Sequence, residues 1–252
     1  MLWYKAWLET RWRFLIGLGL LSLSAAGTVL TYPQVVKLIA HLPQQDFGGP
    51  LGRRVAEAID LSRSYRGYVW GQAFRQNLLQ MWTLFAVLLG TGGLLHQASG
   101  GGALFTLSLP VTRARIAGVR AATGLLELLA LAFMPPLLLP LLSPGIGQSY
   151  GLGDALAHGA CLFLGGVFFF SLTFLLSTVF ADLWRPPLLV LCLACVFTIG
   201  EWVLGSSSPF GVMAGESYFR GNGLPWLGLL ISAVLSVSLL FLASNNLARQ
   251  DF

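Results

Sequence analysis

Only two lysines, Lys5 and Lys37, occur in the 252 residues, and neither follows a glycine, because Tyr4 precedes the first and Val36 the second. A Gly-Lys-Ser/Thr phosphate loop is therefore excluded throughout the chain. Histidine is nearly as scarce: His41, His96 and His158 stand in three different segments, with no His-Glu-x-x-His or other metal-ligand spacing. No Gly-x-Ser-x-Gly elbow or serine–lysine dyad stands out, so hydrolytic chemistry lacks a nucleophile–base pair. The three cysteines, Cys161, Cys192 and Cys195, all fall in apolar stretches and are expected as reduced thiols. Cys192-x-x-Cys195 has redox-motif spacing, but its Leu, Val and Ala flanks favour helix packing. Charge is the largest deficit, at 10% of residues against about 25% in soluble domains. The net charge of +5 carries no nucleic-acid signal, because the arginines are spread over loops between apolar runs.

What remains is apolar length. Hydrophobic residues make up 56% of the chain, and the mean hydropathy is +0.74. A bilayer-crossing helix needs about 20 mostly apolar residues. Six such runs are present, at 14–32, 77–95, 121–142, 155–180, 187–204 and 224–243. They are continuously apolar and do not alternate with period two, which favours helices over a barrel. The expected fold is an all-α polytopic membrane protein, a single domain over 1–252 with six transmembrane helices. The first run is long enough to span, and no small-x-small cleavage site follows it, so it is read as a span and not as a signal peptide.

Basic residues set the orientation. Six of them, Lys37, Arg53, Arg54, Arg63, Arg66 and Arg75, share the long 33–76 loop, and several lie far from a membrane end, where the positive-inside rule weakens. Apart from that loop, Lys5, Arg11, Arg13, Arg113, Arg115, Arg120, Arg185 and Arg249 fall on one side and Arg220 on the other. Both termini are accordingly placed in the cytoplasm, with 33–76 outside and 96–120 inside.

Residues 1–13 read as an interfacial amphipathic helix. Lys5, Glu9 and Arg13 repeat at four-residue steps on one face, and Trp3, Tyr4, Trp7, Leu8 and Trp12 spread over the other. Such a helix is an aromatic anchor, and it can also touch a cytoplasmic partner. In the outer loop, 44–52 marks a turn and 54–63 a short amphipathic helix. Tyr65, Tyr68, Trp70 and Phe74 suggest an aromatic belt leading into the second span. Gln72, Gln76, Gln80 and Thr83 then recur at three- and four-residue steps as one polar stripe, with Arg75 at its edge. Lipid tolerates such a stripe poorly, so it faces another helix or lines a water-accessible path.

Glu127 sits about two turns into the third run. Its insertion cost of about 2.5–3.5 kcal/mol is offset by ten leucines at about 0.5 kcal/mol each. It is either a proton relay or a structural acid paired with an arginine or a helix end. Pro135, Pro136 and Pro140 are expected to break the outer half of that helix. The fourth run is rich in glycine and phenylalanine, including Gly165 and Gly166, and the fifth holds Thr198 and Glu201 near its outer end. Residues 206–223 read as a short outer re-entry loop. Gly228, Ser232 and Ser236 form a small-xxx-small packing ridge in the sixth run.

The segment 96–120 lies between the second and third runs. Three glycines precede a short amphipathic stretch at 102–109, Pro110 ends it, and Arg113, Arg115 and Arg120 follow. Leu104, Phe105, Leu107 and Leu109 form an apolar tip that wants a partner.

Three stretches carry a resemblance: WYKAWLETRWRF near the start, LFTLSLPVTRARIAGVRAATGLLE in the centre, and the closing Ala-Arg-Gln-Asp-Phe. Together they resemble a type-2 ABC transporter permease subunit over essentially the whole chain, with the central Leu-Ser-Leu-Pro-Val-Thr-Arg most specific. The resemblance implies that Gly102, Leu104, Phe105, Thr106, Leu107, Leu109, Pro110 and Arg113 form the coupling element that docks on a separate ATPase. It implies two copies of that ATPase, which binds ATP and Mg, and an identical or paralogous second permease. It also implies a bacterial or archaeal cytoplasmic membrane, with export following family habit. Family members usually carry a glutamate just ahead of the glycine stretch, where this chain has His96-Gln97. Gln72, Gln76, Gln80, Thr83, Thr198 and Glu201 are candidates for the pathway lining. A stand-alone secondary carrier would show internal repeats, and none is seen. An intramembrane enzyme would need the nucleophile–base pair that the chain lacks.

Overall fold

A computed structural model of the chain describes residues 2–40, 49–92, 112–180, 182–204 and 209–249. Every regular element among the described residues is helical. The α-helices are α1 (Leu2–Ala40), α2 (Gly49–Arg63), α3 (Tyr65–Val69), α4 (Leu78–Gly90), α5 (Arg113–Leu142), α6 (Leu152–Val179), α7 (Arg185–Leu204), α8 (Pro209–Met213), α9 (Glu216–Phe219) and α10 (Trp226–Arg249). A π-helical segment, Trp70–Asn77, joins α3 to α4, so the chain is helical without interruption from 65 to 90. Four helices, α1, α5, α6 and α10, are long and apolar enough to cross a membrane.

Helix α6 is the axis of the body. It packs against α4, α5, α7, α8 and α10, and 61% of its apolar window is buried, against 17% for α10. Its composition explains the position. A Cβ on Gly166 would collide with the Trp82 ring, and one on Gly165 would stand 2.8 Å from Met213 Cγ. These glycines seat two of the largest fully buried side chains. From α10, the Ser232 hydroxyl donates to the Gly165 carbonyl at 3.0 Å. Gly228 lies so close to Val212 that a Cβ would stand 2.6 Å from it. The small-residue ridge is thus a packing seam, as its spacing suggested. The opposite faces of the long helices expose Leu23, Leu126, Leu141, Leu227 and Phe241. That inside-out arrangement suits hydrocarbon and not water.

Several expectations are corrected. Residues 2–13 do not form a separate surface helix; they are the first third of α1, which runs 39 residues without a break. No proline or glycine interrupts it before Gly17. At 1.5 Å per residue it is about 58 Å long, nearly twice a hydrocarbon core of about 30 Å, so its ends must project beyond it. The three prolines do not break α5, which continues through Pro135, Pro136 and Pro140 to Leu142. Pro136 leaves the Ala132 carbonyl without its intrahelical donor. Gly159 of α6 approaches that oxygen so closely that a Cβ would stand 3.0 Å from it. A neighbouring helix thus covers the freed carbonyl, as membrane-depth backbone requires.

Tyr65, Tyr68, Trp70 and Phe74 form no exposed belt, because all four are buried. Trp70 stacks on Phe219 at 4.3 Å, and Phe74 on His158 at 4.5 Å. The segment carrying α8 and α9 folds back over them, and Trp70 Nε1 donates to the Ala214 carbonyl at 3.0 Å. This segment covers the described part of the stretch expected as a re-entry loop, and it is held against the helical core. Its turn at Gly215 has φ +63°, and a Cβ there would stand 2.8 Å from His158 Nδ1. The 33–76 stretch is mostly helical: α1 extends to Ala40 and α2 begins at Gly49, before the expected 54–63 helix. Of the expected turn at 44–52, residues 44–48 lie outside the described set.

Candidate functional site

Two arrangements gather the polar side chains. The first joins the N-terminal end of α1 to both helices that flank 93–111. Arg13 Nη1 donates to the carbonyl oxygens of Leu88 at 2.8 Å and Thr91 at 2.7 Å, capping the end of α4. A cation there meets both the orphan carbonyls and the negative end of the helix dipole. Glu9 forms an ion pair with Arg120 of α5 at 3.3 Å, with both side chains largely covered. A Cβ on Gly92 would collide with the Arg120 guanidinium, so glycine at 92 leaves the space that Arg120 fills. Next to the pair, the Thr10 hydroxyl lies 2.6 Å from Glu127 Oε1, and Glu127 is buried. Its Oε2 has no hydrogen-bond partner among the described residues.

The charged face of residues 2–13 is therefore the docked one. Trp3, Tyr4, Trp7 and Trp12 point outward and are exposed. Glu127 pairs with Thr10, not with an arginine. Helical side chains lean toward their own N-terminus, so Arg120 and Glu127, seven residues apart, reach α1 at different levels instead of meeting.

The second arrangement is an open groove of about 970 Å³ between the π segment with α4 on one side and α7 on the other. It brings together Gln72, Gln76, Gln80 and Thr83 with Thr198, two patches separated by more than a hundred residues in sequence. The π segment makes this possible. Its widened turns send Trp70 and Phe74 inward while Gln72 and Gln76 face the groove. Thr83 and Thr198 donate to their own helices, to the Leu79 and Ala194 carbonyls at 2.8 and 3.0 Å. The apolar wall includes Leu79, Leu84, Leu191 and Ile199, and Cys195 stands among them. Near α2 the groove carries Glu57, 3.5 Å from Arg75, and Glu216, which is paired with Arg220.

No protein-family model matches the chain, and no curated protein or solved structure matches it either.

The residues expected to form a coupling element, Gly102, Leu104, Phe105, Thr106, Leu107, Leu109 and Pro110, with His96 and Gln97, lie outside the described residues. Arg113 opens α5 and Glu201 lies in α7, but their side chains also fall outside that set. No group of three or more His, Cys, Asp or Glu side chains able to hold a metal is found among the described residues. Sequence reading missed Thr10, Gly92 and the capping role of Arg13. Only Arg13 left a signal, as a cation on a face shared with Lys5 and Glu9.

Proposed function

We propose that this chain is the membrane-spanning permease subunit of an ATP-driven ABC exporter. Its six spans would be the four long helices, the helical run over 65–90, and α7, with both termini in the cytoplasm of a bacterium or archaeon. Two copies of a separate ATPase would bind ATP and Mg and grip the 102–109 stretch. A second permease, identical or paralogous, would complete the path.

One observation carries the reading: the end of α1 is tied to both helices that flank 93–111, through Arg13 to α4 and through Glu9 and Thr10 to α5. A part that transmits an external push must move its attached helices as one body, and interlocked polar contacts at both roots do that. A stand-alone carrier has no evident use for such a joint at a single inner segment.

The test is Phe105→Asp. The variant should insert normally and lose co-purification of the ATPase, because an aspartate at an apolar contact is left buried without a partner. Retained ATPase and undiminished transport would remove the coupling assignment.

A further inference from the structure

We propose that the groove between the π segment and α7 binds an uncharged amphiphile bearing a row of hydroxyl or amide groups, the chemistry of a neutral glycoside with an alkyl tail. The inference rests on the permease reading and adds the class of cargo.

The polar wall is a ladder of primary amides. Gln72, Gln76 and Gln80 recur every four residues, over roughly 10–12 Å of helix. Among the described residues, none of the three amides hydrogen-bonds elsewhere in the chain. Each offers two donors and a two-lone-pair acceptor, and with 65–90 as a span, as the permease reading has it, each needs a partner. Thr83 and Thr198 have given their protons to their own helices and can only accept. The ladder therefore suits groups that donate and accept at a spacing of about one helical turn.

Among the described residues, the charges at the groove are paired within the chain. Where the groove meets α2 and α9, Glu57 is held by Arg75 and Glu216 by Arg220. Among the described residues, no charged side chain lines the part beside Gln80, Thr83 and Leu191. An organic ion there would lose hydration without gaining a counter-charge. The apolar lining, Leu191 and Ile199 on α7 with Leu79 and Leu84 beside the amides on α4, suits a hydrocarbon tail. At about 970 Å³ the space stands near the upper end of small-molecule sites, which run from about 300 to 1,000 Å³.

Cys195 is a built-in reporter, because it lines the groove and is exposed while Cys161 is buried. The experiment uses the Cys192→Ser chain with its ATPase in lipid nanodiscs and follows maleimide alkylation of Cys195. Octyl glucoside, octyltrimethylammonium and octyl sulfate are added at equal membrane mole fraction. The glucoside should slow alkylation about fivefold or more and the two ions less than about twofold, a difference matching a few hydrogen bonds against an unpaired charge. Gln76→Leu with Gln80→Leu should cancel the protection. Gln80→Glu should move it to octyltrimethylammonium, a gain that misfolding cannot imitate. Equal protection by all three probes, or by none, overturns the proposal. So does dissociation of paired permeases in the leucine variant without glucoside protection, which would make the ladder a subunit seam. ATPase co-purification on the same samples tests the permease reading separately: protection without a bound ATPase leaves the groove assignment standing and removes the other.

Discussion

The Arg13 guanidinium and the Thr91 carbonyl oxygen lie 2.7 Å apart, although 78 residues separate them in sequence. One Nη1 atom bridges this oxygen and that of Leu88, so a single cation closes the last turn of α4. Charge-assisted hydrogen bonds contribute about 1.5–3 kcal/mol each, and their loss leaves part-buried carbonyls unmet. Arg13→Met keeps the apolar stem and removes the donors. It should lower the unfolding midpoint in detergent and, on the proposed permease reading, cut ATP-driven transport more than ATPase binding. Arg13→Lys should recover only part of both, because an ammonium lacks the planar fork. Thermal unfolding followed by fluorescence, alongside a transport assay, checks the order wild type, lysine, methionine.

Glu127 separates two roles by one substitution. If it holds the α1–α5 joint, Glu127→Gln keeps an oxygen for the Thr10 hydroxyl at 2.6 Å and removes a charge that costs about 2.5–3.5 kcal/mol to insert. That variant should be at least as stable as wild type and, on the proposed permease reading, still transport. Thr10→Val should be the damaging change, by about 1–3 kcal/mol, because it strands the buried carboxyl. A proton relay predicts the reverse: a dead glutamine variant and a mild valine one.

Glycine spacing around α6 gives a ranked series. Gly166→Ala drives a methyl into the Trp82 ring, which cannot yield without moving the core. Overpacking of this kind costs about 1–3 kcal/mol. Gly165→Ala meets Met213 Cγ at 2.8 Å and its backbone at 3.2–3.3 Å, a milder overlap than the one with Trp82 at Gly166, and should cost less. Gly118→Ala in α5 meets nothing within 4 Å. It should stabilise by about 0.4–1 kcal/mol, through lost backbone freedom in the unfolded chain. Melting temperatures that do not follow Gly118→Ala above wild type above Gly165→Ala above Gly166→Ala would contradict this account of α6.

Much of this arrangement was legible from residue order. The long apolar runs, the Gly228–Ser232–Ser236 seam and the polar stripe depend on periodicity alone. Where it failed, a third dimension intervened. Aromatic residues before an apolar run look the same whether they meet lipid or a segment folded back over them. Trp70 and Phe74 are buried only because Phe219 and His158 lie over them. Three prolines predict a break unless a glycine on another helix can cover the freed carbonyl, as Gly159 does. Gly92 meant nothing until Arg120 was seen occupying its side-chain space. The groove needed the π segment, which hydropathy does not reveal.

The opposite end of the molecule is fastened at Asp154, and its pH response can be worked out. Asp154 Oδ1 accepts from the Tyr218 hydroxyl at 2.9 Å and from Arg66 Nη2 at 3.1 Å, joining α9, α6 and α3 at one oxygen. Donating to that carboxylate, with partial burial adding to it, raises the Tyr218 phenol above its ordinary value near 10. A raised value means the contact contributes fully below about pH 10 and is lost as pH climbs through the raised value. Neutral and acid stability should therefore be blind to this titration. Tyr218→Phe should lose about 1.5 kcal/mol near pH 8, the low end for a hydrogen bond to a charged group. Its deficit should shrink above about pH 10, where wild type loses the same bond and gains a phenolate facing a carboxylate. Unfolding midpoints of the two proteins between pH 8 and 11 should converge. Parallel curves would mean that the hydroxyl does not fasten α9.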